Sequence, residues 1–381
     1  MTIHRDECSR LPRLGGHLLL AVVLICISCE SPDVDDGDLY HILDYDGAQD
    51  RYRLVEASIE TLEDPRSVDG EVVYLRAGGR IVMDEANPET QEEFEQALRI
   101  SGSTTPKASY EVSGGLVSAW DFDSLMMLTL YHHFEKAAFF FENIGVDRDV
   151  VGRLPVYYAP RLEVFIPINL LTDNAAYAFT MDAFLMPRQF FLSGIPFAAN
   201  RGVIVHEYSH AVFNRLVHGD ARAPEYLVAP WPDPAINRMR ALDEGVADIF
   251  GGLATQDPNF ISPSIAEDEF EIDRDLSVER QYTESLYNRV QSEDSALFNP
   301  YELGSVIAST VWALRPHVDE ETLGAALVNT LSDFGDVDSS FELSDFFDLL
   351  HGHLPEEARP QACLIFHDRL TAISERLQCD P

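Results

Sequence analysis

Gly202-Val203-Ile204-Val205-His206-Glu207-Tyr208-Ser209-His210 is the stretch on which the reading of this chain turns. An apolar run leads into a His-Glu-x-x-His string, and Ala211, Val212 and Leu216 continue the apolar positions at helical spacing. Asn200 and Gly202 stand where such a helix can begin. Residues four apart share one helix face, so His206 and His210 can offer two imidazole nitrogens to a single ion while Glu207 points beside it. The plainer reading is a pair of satisfied core histidines with a surface glutamate. A third ligand separates the two readings, because a catalytic zinc site takes three protein groups and leaves a fourth position open.

Glu244 is the candidate for that third ligand. It lies in a second helical pattern over 241–253, where Leu242, Val246, Ile249, Phe250 and Leu253 form the apolar face. Asp248 stands one turn beyond it. A carboxylate at that offset can accept the other N–H of a metal-bound imidazole and so fix its tautomer. With 65 Asp and Glu against 27 Lys and Arg, any single carboxylate here reads first as a solvated helix face. The paired spacing of Glu244 and Asp248 argues for more.

Together, residues 202–210, Asn214-Arg215-Leu216 and Asp243-Glu244-Gly245-Val246-Ala247-Asp248-Ile249-Phe250 resemble the gluzincin metallopeptidases, above all the fungalysin and thermolysin groups. The resemblance implies a zinc endopeptidase acting on peptide or protein substrates. In it His206, His210 and Glu244 bind zinc, Glu207 is the general base and Asp248 supports a zinc-bound histidine. It also implies an α+β, two-lobed thermolysin-like fold, with a mixed α/β N-terminal lobe, a mainly helical C-terminal lobe and the zinc in the cleft. A metzincin would need Gly in place of Phe213 and His in place of Leu216, and the M-E-N signature of gluzincin aminopeptidases is absent.

Asp173-Asn174-Ala175-Ala176-Tyr177 is similar to the family's edge strand, which implies peptide binding at Asn174 and Ala175; a turn residue before a strand is the plainer reading of Asn174. Arg274, in Arg274-Asp275-Leu276-Ser277, resembles the arginine that polarises the scissile carbonyl, against the alternative of a surface arginine in an acidic stretch. Within residues 299–309, Tyr301 stands where the family places an oxyanion-stabilising histidine. A phenol can donate to an oxyanion, so the catalytic role passes to Tyr301, although losing one preorganised donor costs on the order of a hundredfold in rate. A second donor, a tyrosine in thermolysin relatives, has only Tyr226 as a counterpart, in a loop of altered length. The alternative function is a catalytically weak or silent zincin-fold surface lipoprotein acting as a binding scaffold. Glu207 argues against it, since a scaffold has no need of a general base.

Composition frames these motifs. The 381 residues, 46% of them hydrophobic, suffice for a full core in one or two domains. A formal charge of -38 excludes nucleic acid and anionic membrane surfaces as partners, since both need basic patches. The acidic run 267–273 has enough hard oxygens for Ca2+ but matches no calcium loop, so it reads as solvated charge and calcium is not predicted. Arg5, Arg10 and Arg13 precede an apolar stretch over 18–27, which reads as an export signal over 1–28. Its end, Leu24-Ile25-Cys26-Ile27-Ser28-Cys29, is similar to a bacterial lipobox, so lipidation of Cys29 is favoured over plain cleavage after Ser28. A lipid anchor there is the expected membrane contact.

An acidic tether over 29–37, a small mixed region over 38–115, an N-terminal catalytic lobe over 116–218 and a helical lobe over 219–381 complete the expected layout. Strands are expected at 71–75 and 80–83, and a buried helix over 122–144 ended by Gly145. Further helices are expected over 302–314, 321–331, 343–354 and 360–377. Cys363 and Cys379 either pair, tying down the last helix, or stay as two free thiols.

Overall fold

β-branched and aromatic residues in short alternating runs fill the first part of the chain and form strands. The computed structural model describes residues 34, 38–46, 51–83, 98–162, 174–189, 194–219, 234–265, 273–293, 297–335 and 341–379. The export signal, Cys29, Tyr226 and most of the acidic run 267–273 lie outside the described residues. In chain order the strands are β1 (Leu39–Asp46), β2 (Arg51–Ala57), β3 (Leu62–Asp64), β4 (Asp69–Gly70), β5 (Val73–Ala77), β6 (Arg80–Met83), β7 (Leu98–Ser101), β8 (Tyr110–Ser113) and β9 (Leu116–Ala119). They continue with β10 (Leu154–Tyr158), β11 (Arg161–Leu162), β12 (Ala176–Ala178) and β13 (Ala183–Met186).

The described strands form three sheets, ordered β2-β1-β9-β8, β12-β13-β10-β5-β4-β3 and β11-β6-β7. In the six-stranded sheet β10 runs parallel to both β5 and β13. Its outermost strand, β12, pairs antiparallel with β13, Tyr177 opposite Phe184. Among the described residues, one side of β12 has no strand neighbour.

The helices are α1 (Phe122–Asn143), α2 (Arg148–Val151), α3 (Arg201–His218), α4 (Pro234–Thr255), α5 (Glu284–Ser292), α6 (Pro300–Trp312), α7 (Glu320–Phe334), α8 (Leu343–His353) and α9 (Arg359–Arg369). Mixed α and β structure is therefore what the described residues adopt. None of their helices is long and apolar enough to cross a membrane.

Asp121 caps α1 by accepting the Ser124 N–H at 2.8 Å. At the other end Ile144 is the cap and Gly145 the residue beyond it, with φ +102. The Gly145 N–H bonds to the Glu142 carbonyl and the Val146 N–H to the Phe141 carbonyl, the paired closure that a left-handed glycine permits. Behind the future site an aromatic cluster joins three helices. Phe141 of α1 stacks on Tyr208 of α3 at 5.5 Å and meets Phe250 of α4 at 4.9 Å. Tyr208 is buried here, which turns its neighbours His206 and Glu207 to other faces of α3.

Asn200 caps α3 through its Oδ1, and its Nδ2 donates to the Phe260 carbonyl and the Ser264 hydroxyl. A Cβ on Gly202 would lie 2.5 Å from the Phe260 ring, so only glycine admits that contact. α4 begins at Pro234 rather than at 241, because Ala235, Ile236 and Met239 extend its buried stripe upstream. The last helix is shorter than expected. It stops at Arg369, where the chain leaves the helix to exchange backbone hydrogen bonds with Tyr282: the Tyr282 N–H reaches the Arg369 carbonyl at 2.7 Å and the Ala372 N–H reaches the Tyr282 carbonyl at 2.9 Å. Cys363 and Cys379 are joined in a disulfide, their Cα atoms 5.8 Å apart.

The crossing of α4 and α6 rests on two glycines. A Cβ on Gly245 would meet the Gly304 carbonyl at 2.7 Å, and one on Gly304 would meet the Ala241 carbonyl at 3.1 Å. Glu244 and Tyr301 sit on either side of this contact. Gly245→Ala should destabilise the protein by about 1–3 kcal/mol in denaturant unfolding, despite a helix-propensity gain of about 1 kcal/mol. Gly352→Ala, where nothing lies within 4 Å of the new methyl group, should be neutral or stabilising.

Candidate metal centre

α3 and α4 cross so that three ligand atoms converge. The Nε2 atoms of His206 and His210 are 3.2 Å apart. Glu244 Oε2 lies 3.4 Å from the first and 3.7 Å from the second. This oxygen is buried and accepts no hydrogen bond from the described residues. A tetrahedral ion with bonds of about 2.0–2.1 Å sets neighbouring ligand atoms roughly 3.3–3.4 Å apart, so the triangle has the size of one face of such a tetrahedron.

The remaining ring nitrogens fix the tautomers. His206 Nδ1 lies 3.0 Å from Asp248 and His210 Nδ1 lies 2.8 Å from Asp243. Each Nδ1 carries a proton toward its carboxylate, so in the neutral rings both Nε2 lone pairs face the Glu244 oxygen. Three acceptors pointed at one spot repel one another unless a cation lies between them. The donor set therefore fits a divalent metal ion. A second cluster, Cys363, His367 and Cys379, offers no such site, since both sulfurs are spent on the disulfide.

Exposure shows where the site opens. Asp248 and His206 are 1% and 6% exposed at their side chains, whereas Glu244 and Asp243 reach 20% and 29%. Solvent thus reaches the triangle from the His210 and Glu244 side.

Glu207 stands next to the triangle, buried, and its Oε2 accepts the Tyr177 N–H of β12 at 2.8 Å. Burial raises its pKa and Glu244 raises it further, while His206, His210 and the Tyr177 amide pull it down; the net shift is upward. Burial also pushes Asp248 up, but Arg274 and His206 outweigh it and hold this carboxyl at about 2. Arg274 is buried rather than on the surface. It bonds both Asp248 oxygens, with Nε at 3.1 Å from Oδ2, and its guanidinium lies 4.3 Å from the centre of the Tyr301 ring. Burial, then Glu244, raises the Tyr301 phenol well above its ordinary value, so it keeps its proton at neutral pH.

No protein-family model matches the sequence, and no curated protein does. Among solved structures the chain is similar to the precursor of protealysin, a metalloproteinase from Serratia proteamaculans. Identity is 12% and the TM-score 0.47, over 77% of this chain and 87% of that one. A likeness of this size carries no weight for function; the side chains do.

The structure brings His206, His210, Glu244, Glu207, Asp248, Arg274 and Tyr301 into one neighbourhood. Asn174 and Ala175 lie immediately before β12, whose next residues include Tyr177, the contact to Glu207. Asn174 lines a separate cavity of about 180 Å3 with Phe122, Met126 and Phe197. Two contributors escaped the sequence reading. Asp243 was legible in principle, because a second metal-binding imidazole needs its own acceptor and Asp243 adjoins Glu244. The Tyr177 amide was not, since a backbone N–H leaves no trace in residue identity.

Asp248→Asn and Asp243→Asn should each weaken metal binding by about 10–100-fold in a competitive chelator titration, with the fold kept. In the metal-free protein, burial lowers the His210 pKa but Asp243, Glu244 and Glu207 lift it to about 10. The folded value thus lies above the ordinary His value of about 6.5. Its stabilising contribution is full below that value and is lost as pH rises through about 10. Thermal unfolding in chelator should show a gap between the unaltered protein and Asp243→Asn at pH 6 that narrows by pH 10.

Proposed function

We propose that this chain is an exported zinc endopeptidase. The observation that carries the reading is the triangle of His206 Nε2, His210 Nε2 and Glu244 Oε2, sized for a tetrahedral ion, with the Glu207 carboxylate beside it. Two imidazoles and a carboxylate with one side open suit zinc in its catalytic form. Zinc bound there lowers the pKa of water and polarises a carbonyl.

The protein's own groups supply the rest. Glu207 takes a proton from the water that attacks the peptide carbonyl carbon, and later gives it to the departing amide nitrogen. Its upward-shifted pKa suits it to both transfers. The negative charge that develops on the carbonyl oxygen is met by the Tyr301 hydroxyl, which keeps its proton, and by the positive charge of Arg274 behind it. Arg274 also anchors Asp248, and through it His206. An extended peptide is read as lying along the open side of β12, beginning at Asn174 and Ala175, where backbone groups can pair with it.

The proposed cleft lies between the strands with α1–α3 on one side and the helices after residue 219 on the other, the two lobes of the implied family fold. Export and lipidation at Cys29 rest on the arginines, apolar stretch and lipobox-like end of residues 1–29.

The test is hydrolysis of a mixed peptide library by residues 30–381 loaded with zinc. Internal cleavage is expected, abolished by chelator and restored by zinc. Glu207→Gln should bind zinc as before and lose about 100–10,000-fold in kcat. Tyr301→Phe should lose about 100-fold in kcat with KM little changed. Zinc bound one per chain with no cleavage of any peptide would sink the endopeptidase and leave the scaffold.

A further inference from the structure

Glu207 is held at one of its two oxygens by a backbone amide, and that amide belongs to a strand of three residues, Ala176–Ala178, at the edge of its sheet. A strand this short has few ladder bonds to keep it in place. The Tyr177 side chain supplies a second hold. Its hydroxyl donates to Asp182 Oδ1 at 2.7 Å. Arg215 of α3 bonds both oxygens of the same carboxylate, at 2.7 and 2.6 Å. Asn214, two helical turns beyond Glu207 and on the same face of α3, donates to the Tyr177 hydroxyl at 3.4 Å. α3 therefore grips Tyr177 at both ends, the amide through Glu207 and the phenol through Asn214 and the Arg215–Asp182 pair.

Asp182 adopts φ +48, the left-handed region that favours glycine. Glycine would relieve that conformation but has no carboxylate. Aspartate is among the non-glycine residues that reach this region most readily, so the backbone admits it. Aspartate is what Tyr177 and Arg215 both need.

We infer that Arg215, Asp182 and the Tyr177 phenol form a brace that sets the position of the Tyr177 amide, and through it the orientation of the Glu207 carboxylate. They are positioning residues. The amide occupies Oε2, which leaves Oε1 to serve as the base. The consequence for catalysis rests on the proposed peptidase reading, whereas the consequence for the amide does not.

The test compares the unaltered protein with Asp182→Gly, Asp182→Asn, Tyr177→Phe and Arg215→Lys, all full chain after the lipidation position. Hydrogen exchange of the Tyr177 amide in metal-free protein reads the brace directly, and kcat and KM on a cleaved peptide read its use. Tyr177→Phe and Asp182→Gly should speed exchange about tenfold or more. Both should lower kcat about 10–100-fold, the scale of a catalytic group misplaced by about 1 Å, with zinc content unchanged and KM within about twofold. Asp182→Asn, which tolerates the left-handed backbone and keeps one acceptor, should recover part of both, as should Arg215→Lys. A merely structural turn predicts the reverse for Asp182→Gly: equal or higher melting temperature with full activity. Unchanged exchange in Asp182→Gly and Tyr177→Phe overturns the brace whatever the activity. Faster exchange with no cleavage by the unaltered protein keeps the brace and removes the peptidase.

Discussion

His206 Nε2, His210 Nε2 and Glu244 Oε2 share one small space, and the arrangement around this centre follows from that constraint. Asp248 and Asp243 take the Nδ1 protons of the two histidines and so direct both Nε2 lone pairs at Glu244. Four carboxylates, Glu207, Asp243, Glu244 and Asp248, then surround the site against the buried guanidinium of Arg274. Such a cluster is destabilising by itself and is relieved by protons on the imidazoles or by a bound cation. The upward shifts of His206 and His210 in the metal-free protein express the same demand. A fold retains local conflict of this kind where function requires it.

Close helix packing is what makes the convergence geometrically attainable. Short side chains reach a common point only if their helices approach nearly to backbone contact. Gly245 and Gly304 allow this between α4 and α6, as Gly202 and Gly251 do where α3 and α4 meet around Phe260. Phe134, Phe141, Tyr208 and Phe250 fill the space behind α3, so the helix cannot turn its histidines away without opening the core. The site is thus rigid on its buried side, where Asp248 and Arg274 lie, and open on the side of His210 and Glu244.

The contact between β12 and α3 joins the sheet to this centre. An edge strand presents backbone groups that either find a partner or invite one. Here the Tyr177 N–H is given to Glu207, which ties the sheet edge to the residue proposed as the base. The Arg215–Asp182 pair is partly exposed, 22% and 43% at its side chains, so its ion pairing alone is weak in water. Its shared hydrogen bond with the Tyr177 hydroxyl makes it a specific geometric link.

Helical spacing made much of this legible beforehand. Periodicity located the helix that carries His206 and His210, the core of the next over 241–253, the buried helix over 122–144 and, apart from its end, the C-terminal bundle. It also singled out His206, His210 and Glu244 as candidate ligands, since the i,i+4 spacings of His206 with His210 and of Glu244 with Asp248 are properties of the chain itself. It could not fix the start of α4 at Pro234 or the end of α9 at Arg369, because backbone pairing with Tyr282, far away in sequence, decides the latter. By itself, then, the sequence determined which side chains share a helix face and which residue types can bind a metal ion. Only the tertiary structure decided that Arg274 is buried on Asp248, that Asp243 serves His210, that Cys363 meets Cys379 and that a Tyr177 amide holds Glu207. Those are contacts between distant segments, or through backbone atoms common to every residue, and no local pattern encodes them.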